Sequence, residues 1–179
     1  EAEKNSGIQI KRVFATVGGI GLESVTSLGS AVISKADGEV TQLDIQKAIQ
    51  VAEDNLEIKN RRILHRLPVG FKLDGKTLPG RPERVKGMKL EIKVLFITCF
   101  EQHLEDLLTA ISDAGVEVVD VVASPIAAGE VALTDRDRNM GCLLVDVGAE
   151  TVTMAVFEEG AVVALRVFAT GSTYITNDI

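Results

Sequence analysis

Alternating apolar and polar residues predict strands in the first hundred residues. The alternation covers 8–17, is looser over 25–33 and is strict over 88–96, which is typical of a half-buried strand. An apolar stretch over 63–71 leads into Asp74-Gly75, a dipeptide that favours a turn. We therefore expect strands on both sides of a long irregular connection that contains proline and glycine.

Apolar residues at three-and-four spacing predict two helices. The first covers 41–56, with Thr41 as its N-cap and Asp44 placed three residues later to complete a capping box. The second covers 101–114, and Gly115 is a natural stop for it.

The remaining pattern predicts more strands and short helices. A valine-rich stretch over 116–122 predicts a buried strand, and Ser124-Pro125 predicts an N-cap and the first residue of a short helix. The apolar run Cys142–Val145 predicts a strand buried on both faces. Strands over 152–157 and 161–168 would complete an antiparallel meander, and a helix is predicted after Gly171-Ser172-Thr173.

The stretch Gly18-Gly19-Ile20-Gly21 invites a dinucleotide-binding interpretation, which we reject. The fingerprint requires a third glycine where Ser24 stands, and it requires a helix immediately afterwards. The pattern that follows is that of a strand or loop, so we expect a bent strand here.

Composition and charge narrow the functional classes. The 179-residue chain is 46% hydrophobic with a mean hydropathy of +0.21, which favours a packed core over disorder. No apolar run is long enough to span a membrane. A net charge of −7 argues against a nucleic-acid binder. Cys99 and Cys142 lie in apolar runs, so we interpret them as buried thiols of a reducing compartment.

Charge is segregated along the chain. Residues 59–93 carry eleven lysines and arginines against three carboxylates, a local net charge of +8, while the rest carries eight basic and 23 acidic side chains, a net of −15. This cationic stretch predicts either a surface for an acidic partner or anionic lipid, or a solvated face. The candidate partner-binding residues are Arg81, Arg84, Lys86 and Lys89.

Few residues carry catalytic or metal-binding signals. His65 and His103 stand in no metal-ligand spacing, and a structural or surface role is the simpler interpretation of each. Glu53 and Asp54 are adjacent on a predicted helix and diverge by about 100°, so we interpret them as a solvated face and not as an acid–base pair.

The turn over 146–151 is the one segment that suggests chemistry. Gly148 would let backbone N–H groups approach an anion, Asp146 could hold a water or Mg²⁺, and Thr151 adds a hydroxyl. On composition alone, an ordinary hairpin turn explains the segment equally well.

An ordered set of motifs changes that balance. They are Glu39-Val40-Thr41-x-x-Asp44, Ile63-Leu64-His65-x-Leu67-Pro68-x-x-Phe71-x-Leu73-Asp74-Gly75, Gly87-Met88-x-Leu90-Glu91-x-Lys93-Val94, Ile97-Thr98, Ala114-Gly115-Val116-Glu117-Val118, Ser124-Pro125-Ile126-Ala127, Leu144-Val145-Asp146-Val147-Gly148 and Gly171-x-x-x-Ile175-Thr176-x-Asp178-Ile179. In this combination the chain resembles, nearly end to end, the actin-like FtsA family of cell division proteins.

The resemblance implies a fold class and a layout. The class is mixed α/β (α+β): an inserted strand-helix-strand-strand module, called SHS2 or 1C, attached to parts of an actin-like, ribonuclease-H-like nucleotide-binding fold. Residues 1–7 would end a helix of the first actin-like subdomain, 8–98 would form the module, 99–140 would return to the first subdomain, and 141–179 would begin the second. The chain therefore resembles an internal segment of a longer protein.

The resemblance also implies partners and a cofactor. FtsA-like proteins link FtsZ filaments to the cytoplasmic membrane at the division site through a C-terminal helix, recruit later division proteins, and associate with themselves. The complete protein would bind ATP and Mg²⁺, with Asp146, Gly148, Ala149 and Thr151 in the phosphate loop and Asp146 holding Mg²⁺ through water. No nucleic acid is expected as a partner.

This sequence departs from the family's phosphate loop. Ala149 and Glu150 stand where the family has glycines, and Val152 and Thr153 replace its final Thr-Asp. A carboxylate at 150 would repel phosphates, so we expect doubtful hydrolysis and no measurable ATP binding by this segment alone. The alternatives are the PilM family of type IV pilus assembly and, from another class, a working sugar-kinase or chaperone-type ATPase.

Overall fold

A computed structural model describes residues 2–177. Glu1, the first residue of the predicted segment 1–7, and Asp178 and Ile179, which end the last predicted motif and the segment 141–179, lie outside the described residues. Within that range the chain has a mixed α/β fold, as predicted. The helices are α1 Ala2–Ser6, α2 Gln42–Asp54, α3 Glu101–Asp113, α4 Ser124–Ala132, α5 Asp135–Met140 and α6 Ser172–Asn177. The strands are β1 Arg12–Val17, β2 Glu23–Val32, β3 Arg61–Leu73, β4 Lys76–Leu78, β5 Lys89–Phe100, β6 Glu117–Ala123, β7 Cys142–Val147, β8 Val152–Glu158 and β9 Ala161–Phe168.

Four antiparallel strands in the order β2-β5-β3-β4 form what we call the module sheet. One of its faces is covered by α2. The central strand β5 places Leu90, Ile92, Val94 and Phe96 on that face, and all four are fully buried. The strict alternation over 88–96 therefore predicted the core of this sheet, although Met88 itself is exposed.

The second half of β5 is buried on both faces, whereas the alternation predicted a strand buried on one face only. Leu95, Ile97 and Cys99 point away from α2 and pack against residues of β6, β8 and β9. Burial raises the pKa of the Cys99 thiol, which agrees with its interpretation as a buried thiol. The module sheet is thus joined to the rest of the chain through this end of β5.

Helix α2 begins where the capping box predicted. Thr41 is the N-cap, and its side chain accepts a hydrogen bond from the Asp44 N–H, while the Asp44 carboxylate accepts from the Thr41 N–H. Ala48 and Ala52 are fully buried against the module sheet. Their small side chains let α2 approach β2 so closely that Gly29 faces the Ala48 carbonyl oxygen directly.

A second, parallel sheet consists of β1 and β6. Gly18-Gly19-Ile20-Gly21 lies in the turn after β1, and strand β2 follows it, so the rejection of a dinucleotide fingerprint is confirmed. The expected bent strand is wrong, because β1 and β2 are separate strands of two different sheets. Ser124 does not cap α4, contrary to our prediction. Ala123 occupies the N-cap position without a side-chain bond, and Ser124 is the first helical residue.

The meander β7-β8-β9 is present as predicted, but β7 is not buried on both faces. Leu143 and Val145 are 53% and 44% exposed. The reason is that Cys142 and Leu144 pack against the buried cluster formed by β5, β8 and β9, whereas the opposite face has no covering layer among residues 2–177.

The pairing of β1 and β2 can be compared with the predicted start of the module. We predicted the module over 8–98, whereas β1 pairs with β6 in the parallel sheet and the module sheet begins at β2. The remaining limits stay a prediction.

Candidate functional site

The predicted phosphate turn joins the first two strands of the meander. Asp146, at the end of β7, is paired with Thr153 across the hairpin. The Gly148 N–H donates to the Thr151 carbonyl over 2.9 Å, which closes the turn. Residues 148–151 therefore form a tight loop at one end of the meander, which we call the phosphate turn.

The segment after β9 holds the phosphate turn in place. The Ser172 N–H donates to the Gly148 carbonyl over 2.9 Å, and the Thr173 N–H donates to the Ala149 carbonyl over 3.0 Å. A Cβ atom on Gly171 would lie 2.2 Å from the Ala149 carbonyl oxygen, so this approach requires glycine. The first N–H groups of α6 are consequently bound to the turn and cannot donate to a phosphate.

Other groups of the turn remain open to a ligand. Within residues 2–177, the N–H groups of Ala149 and Glu150 have no protein acceptor, and the Asp146 carboxylate accepts no hydrogen bond. Asp146 and Ala149 are exposed, and Gly148 and Thr151 are half-buried. These are the groups that a phosphate or a hydrated cation would meet, so the four predicted residues share one small surface.

Glu150 opposes an anion at this surface. Its carboxylate accepts a 3.4 Å hydrogen bond from the Thr173 hydroxyl, and its backbone N–H is one of the two open donors. A negative side chain beside a phosphate-sized ligand is repulsive at such distances. No group of three or more His, Cys, Asp or Glu side chains within the described residues is arranged to hold a metal ion. Metal binding by Asp146 therefore stays a prediction.

The cationic residues predicted to bind partners are exposed, but they are not equally free. Lys89 forms a 2.8 Å ion pair with Glu91. Hydrogen bonds with Glu39 and Lys35 lower the pKa of the Asp37 carboxyl, and the nearby charge of Lys86 lowers it further, so Lys86 is partly compensated by Asp37. Arg81 and Arg84 form no ion pair within residues 2–177, so they carry the least compensated charge of this patch.

The structure does not bring the cationic patch and the phosphate turn together. Arg81 lies near the β8–β9 hairpin, at the other end of β8 from the turn. Seven residues of strand at ~3.3 Å each separate the two ends by about 20 Å. Two separate surfaces are therefore present.

His65 joins the module sheet to the parallel sheet, a role that the sequence did not reveal. Its Nε2 accepts a 2.9 Å hydrogen bond from the Ala123 N–H at the end of β6. Burial lowers the pKa of His65, while the Asp120 carboxylate acts in the opposite direction. A histidine in a strand pattern carries no signal of such a contact, because the contact joins residues 58 positions apart.

Two arginines of the cationic stretch are structural. The Arg66 guanidinium donates to both Glu53 oxygens at 2.6 and 2.8 Å, so Glu53 is a half-buried ion-pair partner at the surface, while Asp54 is exposed. The Arg61 guanidinium donates to the Gly21 carbonyl and to Thr98, and it stacks 4.6 Å from the centre of the Phe100 ring. Part of the local positive charge therefore holds β3 to its neighbours.

Comparison with known proteins shows which family this chain is similar to. The family model for the SHS2 domain inserted in FtsA matches residues 19–98. The cell division protein FtsA of Bacillus subtilis is 28% identical over 179 residues, which is 100% of this chain and 41% of that protein. FtsA of Rhizobium meliloti is 31% identical over 178 residues, 99% of this chain and 40% of that protein.

A solved structure supports the fold at lower identity. The PilM–PilN type IV pilus biogenesis complex contains a chain that matches with a TM-score of 0.66 at 15% identity, covering 99% of this chain and 48% of that one. The chain spans about 40% of the length of the curated relatives it matches. Residues 19–98 therefore match the SHS2 domain inserted in FtsA, and the chain is similar to FtsA proteins along its whole length.

Proposed function

We propose that the chain is part of an FtsA-like protein that links FtsZ filaments to the cytoplasmic membrane and recruits later division proteins. In this proposal the SHS2 module mediates self-association and partner binding. The observation that carries it is the similarity to FtsA cell division proteins along the entire chain, module included.

The surface of the module is suited to protein contacts. Leu28, Val32 and Met88 are 67%, 76% and 77% exposed, and Val32 pairs with Lys89 of the cationic patch. Apolar side chains beside charged ones are typical of a surface that is covered in an assembly.

The outer edge of β2, which has no strand neighbour among residues 2–177, supports the same proposal. This strand has ten residues, Glu23 is its one charged residue, and it contains no proline. Its register with β5 is regular throughout. Sheet edges that are not used in contacts are usually protected by charges, proline or bulges, and β2 has little such protection.

The phosphate turn supports a nucleotide-dependent scaffold more than an ATPase. In the complete protein, ATP and Mg²⁺ would bind at Asp146, Gly148, Ala149 and Thr151 together with parts that this chain does not contain. Glu150 would weaken phosphate binding there. The protein would act at the inner face of the membrane at the division site, through a C-terminal helix outside this chain. No helix within residues 2–177 has the length and apolar character needed to cross a bilayer.

A second candidate is a PilM-like scaffold of type IV pilus assembly. The TM-score of 0.66 supports a fold shared with PilM, but a match at 15% identity supports the fold alone and not the function. The FtsA relatives match at 25% to 31% identity, so the division role is the stronger proposal.

A localisation experiment distinguishes the two candidates. The full-length protein, fused to a fluorescent protein and expressed in its own bacterium, is expected to form a ring at mid-cell that disappears when FtsZ is depleted. A distribution that is unchanged by FtsZ depletion would contradict the division role, and localisation that follows the pilus assembly proteins would favour the alternative.

A further inference from the structure

Part of the module sheet has a face that no element covers among the described residues. The side chains of β5 alternate, so Ile92 and Val94 contact α2, while the residues between them point to the opposite face. Towards the end of β5 this opposite face is covered, because Leu95 and Ile97 pack against β6, β8 and β9. Residues 89–93 lie before that contact. We call the uncovered surface around them the open face.

The register of the strands places lysines and apolar side chains side by side on the open face. Lys93 is paired with Leu28 of β2, and Lys89 is paired with Val32. Directly opposed residues of antiparallel strands have their side chains on the same face. Leu28 and Val32 are 67% and 76% exposed, and both lysines are exposed as well. Each of these apolar side chains therefore lies beside a lysine at the surface.

The positive charge of the open face is only partly compensated. Lys72 of β3 is paired with Glu91, and Lys89 forms a 2.8 Å ion pair with the same carboxylate. The hydrogen bond and the charge of Lys89 lower the pKa of Glu91, and the charge of Lys72 lowers it further, so this carboxyl is ionised at neutral pH. Lys72 and Lys93 form no ion pair within residues 2–177. Three lysines against one glutamate leave an excess of positive charge on the open face.

A depression of about 370 Å³ gives an anionic group room between the lysines. Residues of all four strands line it, among them Ser30, Gly70, Lys72, Thr77 and Lys93. Gly70 is the residue opposite Lys93 on β3, so no side chain stands beside that lysine there. Ammonium and hydroxyl groups both donate hydrogen bonds to phosphate oxygens. The depression is therefore suited to a phosphate group that is attached to an apolar body.

We propose that the open face binds the surface of a membrane that contains anionic phospholipids. Lys72, Lys89 and Lys93 contact the lipid phosphates, while Leu28 and Val32 enter the boundary between headgroups and acyl chains. An acidic protein surface is the competing occupant. Lysine is depleted in the cores of protein interfaces, whereas lysines occupy the centre of this face, so the charge pattern favours lipid.

This contact would be a second attachment to the membrane, separate from the proposed C-terminal helix. It rests on the division role in one respect, because that role brings the module close to the membrane. The outer edge of β2 stays available for protein contacts, since the lipid would lie on the face of the sheet and not along its edge. The test includes neither FtsZ nor the C-terminal helix, so its failure would leave the division role unaffected.

The test is flotation of the 179-residue chain with extruded vesicles. One set of vesicles contains phosphatidylglycerol and phosphatidylcholine in equal parts, and the other contains phosphatidylcholine alone. Because the chain has a net charge of −7, its overall charge opposes binding to anionic vesicles. Binding to the first set is nevertheless expected, with binding to the second set roughly tenfold or more weaker.

Two double variants locate the contact. Lys72→Gln with Lys93→Gln is expected to weaken binding to the anionic vesicles about twentyfold, which is about four- to fivefold for each lysine. Arg81→Gln with Arg84→Gln is the matched control, because it removes the same charge from module residues that do not line the depression. The control is expected to weaken binding by less than about threefold. Leu28→Ser is expected to weaken it about fivefold through lost apolar contact.

Several results would overturn the proposal. They are no binding to the anionic vesicles, equal binding to both sets, equal effects of the two double variants, and unchanged binding by Leu28→Ser. Displacement of the chain from the vesicles by millimolar glycerol phosphate would also contradict it, because the depression would then hold a soluble anion. The changed side chains are exposed, so all variants are expected to keep the circular dichroism spectrum of the unmodified chain.

Discussion

Replacing Gly29 by alanine is expected to lower the free energy of unfolding of the module by about 2 kcal/mol. A Cβ atom at this position would lie 1.9 Å from the Ala48 carbonyl oxygen and 2.5 Å from the Ala52 backbone nitrogen. Both are backbone atoms of α2. Because backbone atoms of a packed helix cannot rotate away, the overlap is relieved only if α2 moves off the module sheet.

The magnitude follows from two opposing effects. Overfilling a packed core usually costs ~1–3 kcal/mol, and an obstruction by backbone belongs at the upper end. Alanine recovers ~0.5–1 kcal/mol in a strand, because glycine loses more conformational freedom on folding. The net loss of about 2 kcal/mol corresponds to a decrease in Tm of roughly 4–8 °C for a chain of this size.

Gly70→Ala is the matched control for this change. Gly70 also lies in the module sheet, in β3, but its added Cβ would meet only the Lys93 Cβ at 3.7 Å, an ordinary contact. Urea unfolding followed by circular dichroism is expected to show Gly70→Ala as stable as the unmodified chain or slightly more so. Equal stability of the two variants would refute the close backbone contact between α2 and β2.

Four further predictions concern charge, protonation and the two surfaces. Asp44→Ala should cost about 2 kcal/mol. Burial raises the pKa of this carboxyl, but hydrogen bonds from Thr41 and Ser34 outweigh burial and lower it from 3.8 to about 2. The unmodified chain should therefore lose stability as the pH falls from about 4 towards 2. Burial lowers the pKa of His65 below its unfolded value, so its contribution is complete above pH ~6.5 and declines as the pH falls below that value. His65→Gln, which keeps an acceptor for the Ala123 N–H, should remove this part of the pH dependence in urea unfolding. Calorimetry should detect no ATP binding by the 179-residue chain, and micromolar binding would contradict the incomplete site. Charge reversal of four exposed residues should weaken self-association of the full-length protein in sedimentation velocity; they are Arg81, Arg84, Lys86 and Lys89.

The first two of these predictions have distinct contradicting results. An Asp44→Ala variant as stable as the parent at pH 7 would show that the capping box does not hold α2 in place. A pH dependence between 7.5 and 5.5 that is identical in His65→Gln and the parent would show that the bond to β6 is not made by that imidazole. For charge reversal, unchanged sedimentation would restore the interpretation of a solvated face.

Local chemistry predicted the elements whose signals lie within a few residues. Thr41 and Asp44 marked the start of α2, and the alternation over 90–96 marked the buried face of β5. The same type of signal exists at Thr134 and Asp137, which form the capping box of α5, a helix that we did not predict. The three-residue strand β4 was also not predicted, because it is too short for any alternation to appear.

Long-range packing explains what could not be predicted. The apolar run at Cys142–Val145 resembles a strand between two layers, yet Leu143 is exposed and no layer covers it within residues 2–177. Gly29 looks like a weak point in a strand, but it lies in close contact with the backbone of α2. The candidate site shows the same difference between local and long-range features. The residues of the phosphate turn could be predicted from the sequence, whereas the contacts of the turn with Gly171 and Ser172 depend on the path of the chain after β9.

The proposed role of the complete protein, as a scaffold between FtsZ filaments and the membrane, can be tested by co-sedimentation. The full-length protein would be mixed with FtsZ filaments and anionic liposomes, separately and together, and pelleted. We expect the protein to pellet with each, and we expect FtsZ to be recovered on liposomes only when the protein is present. Recovery of the protein in the supernatant in both separate mixtures would overturn the proposed role.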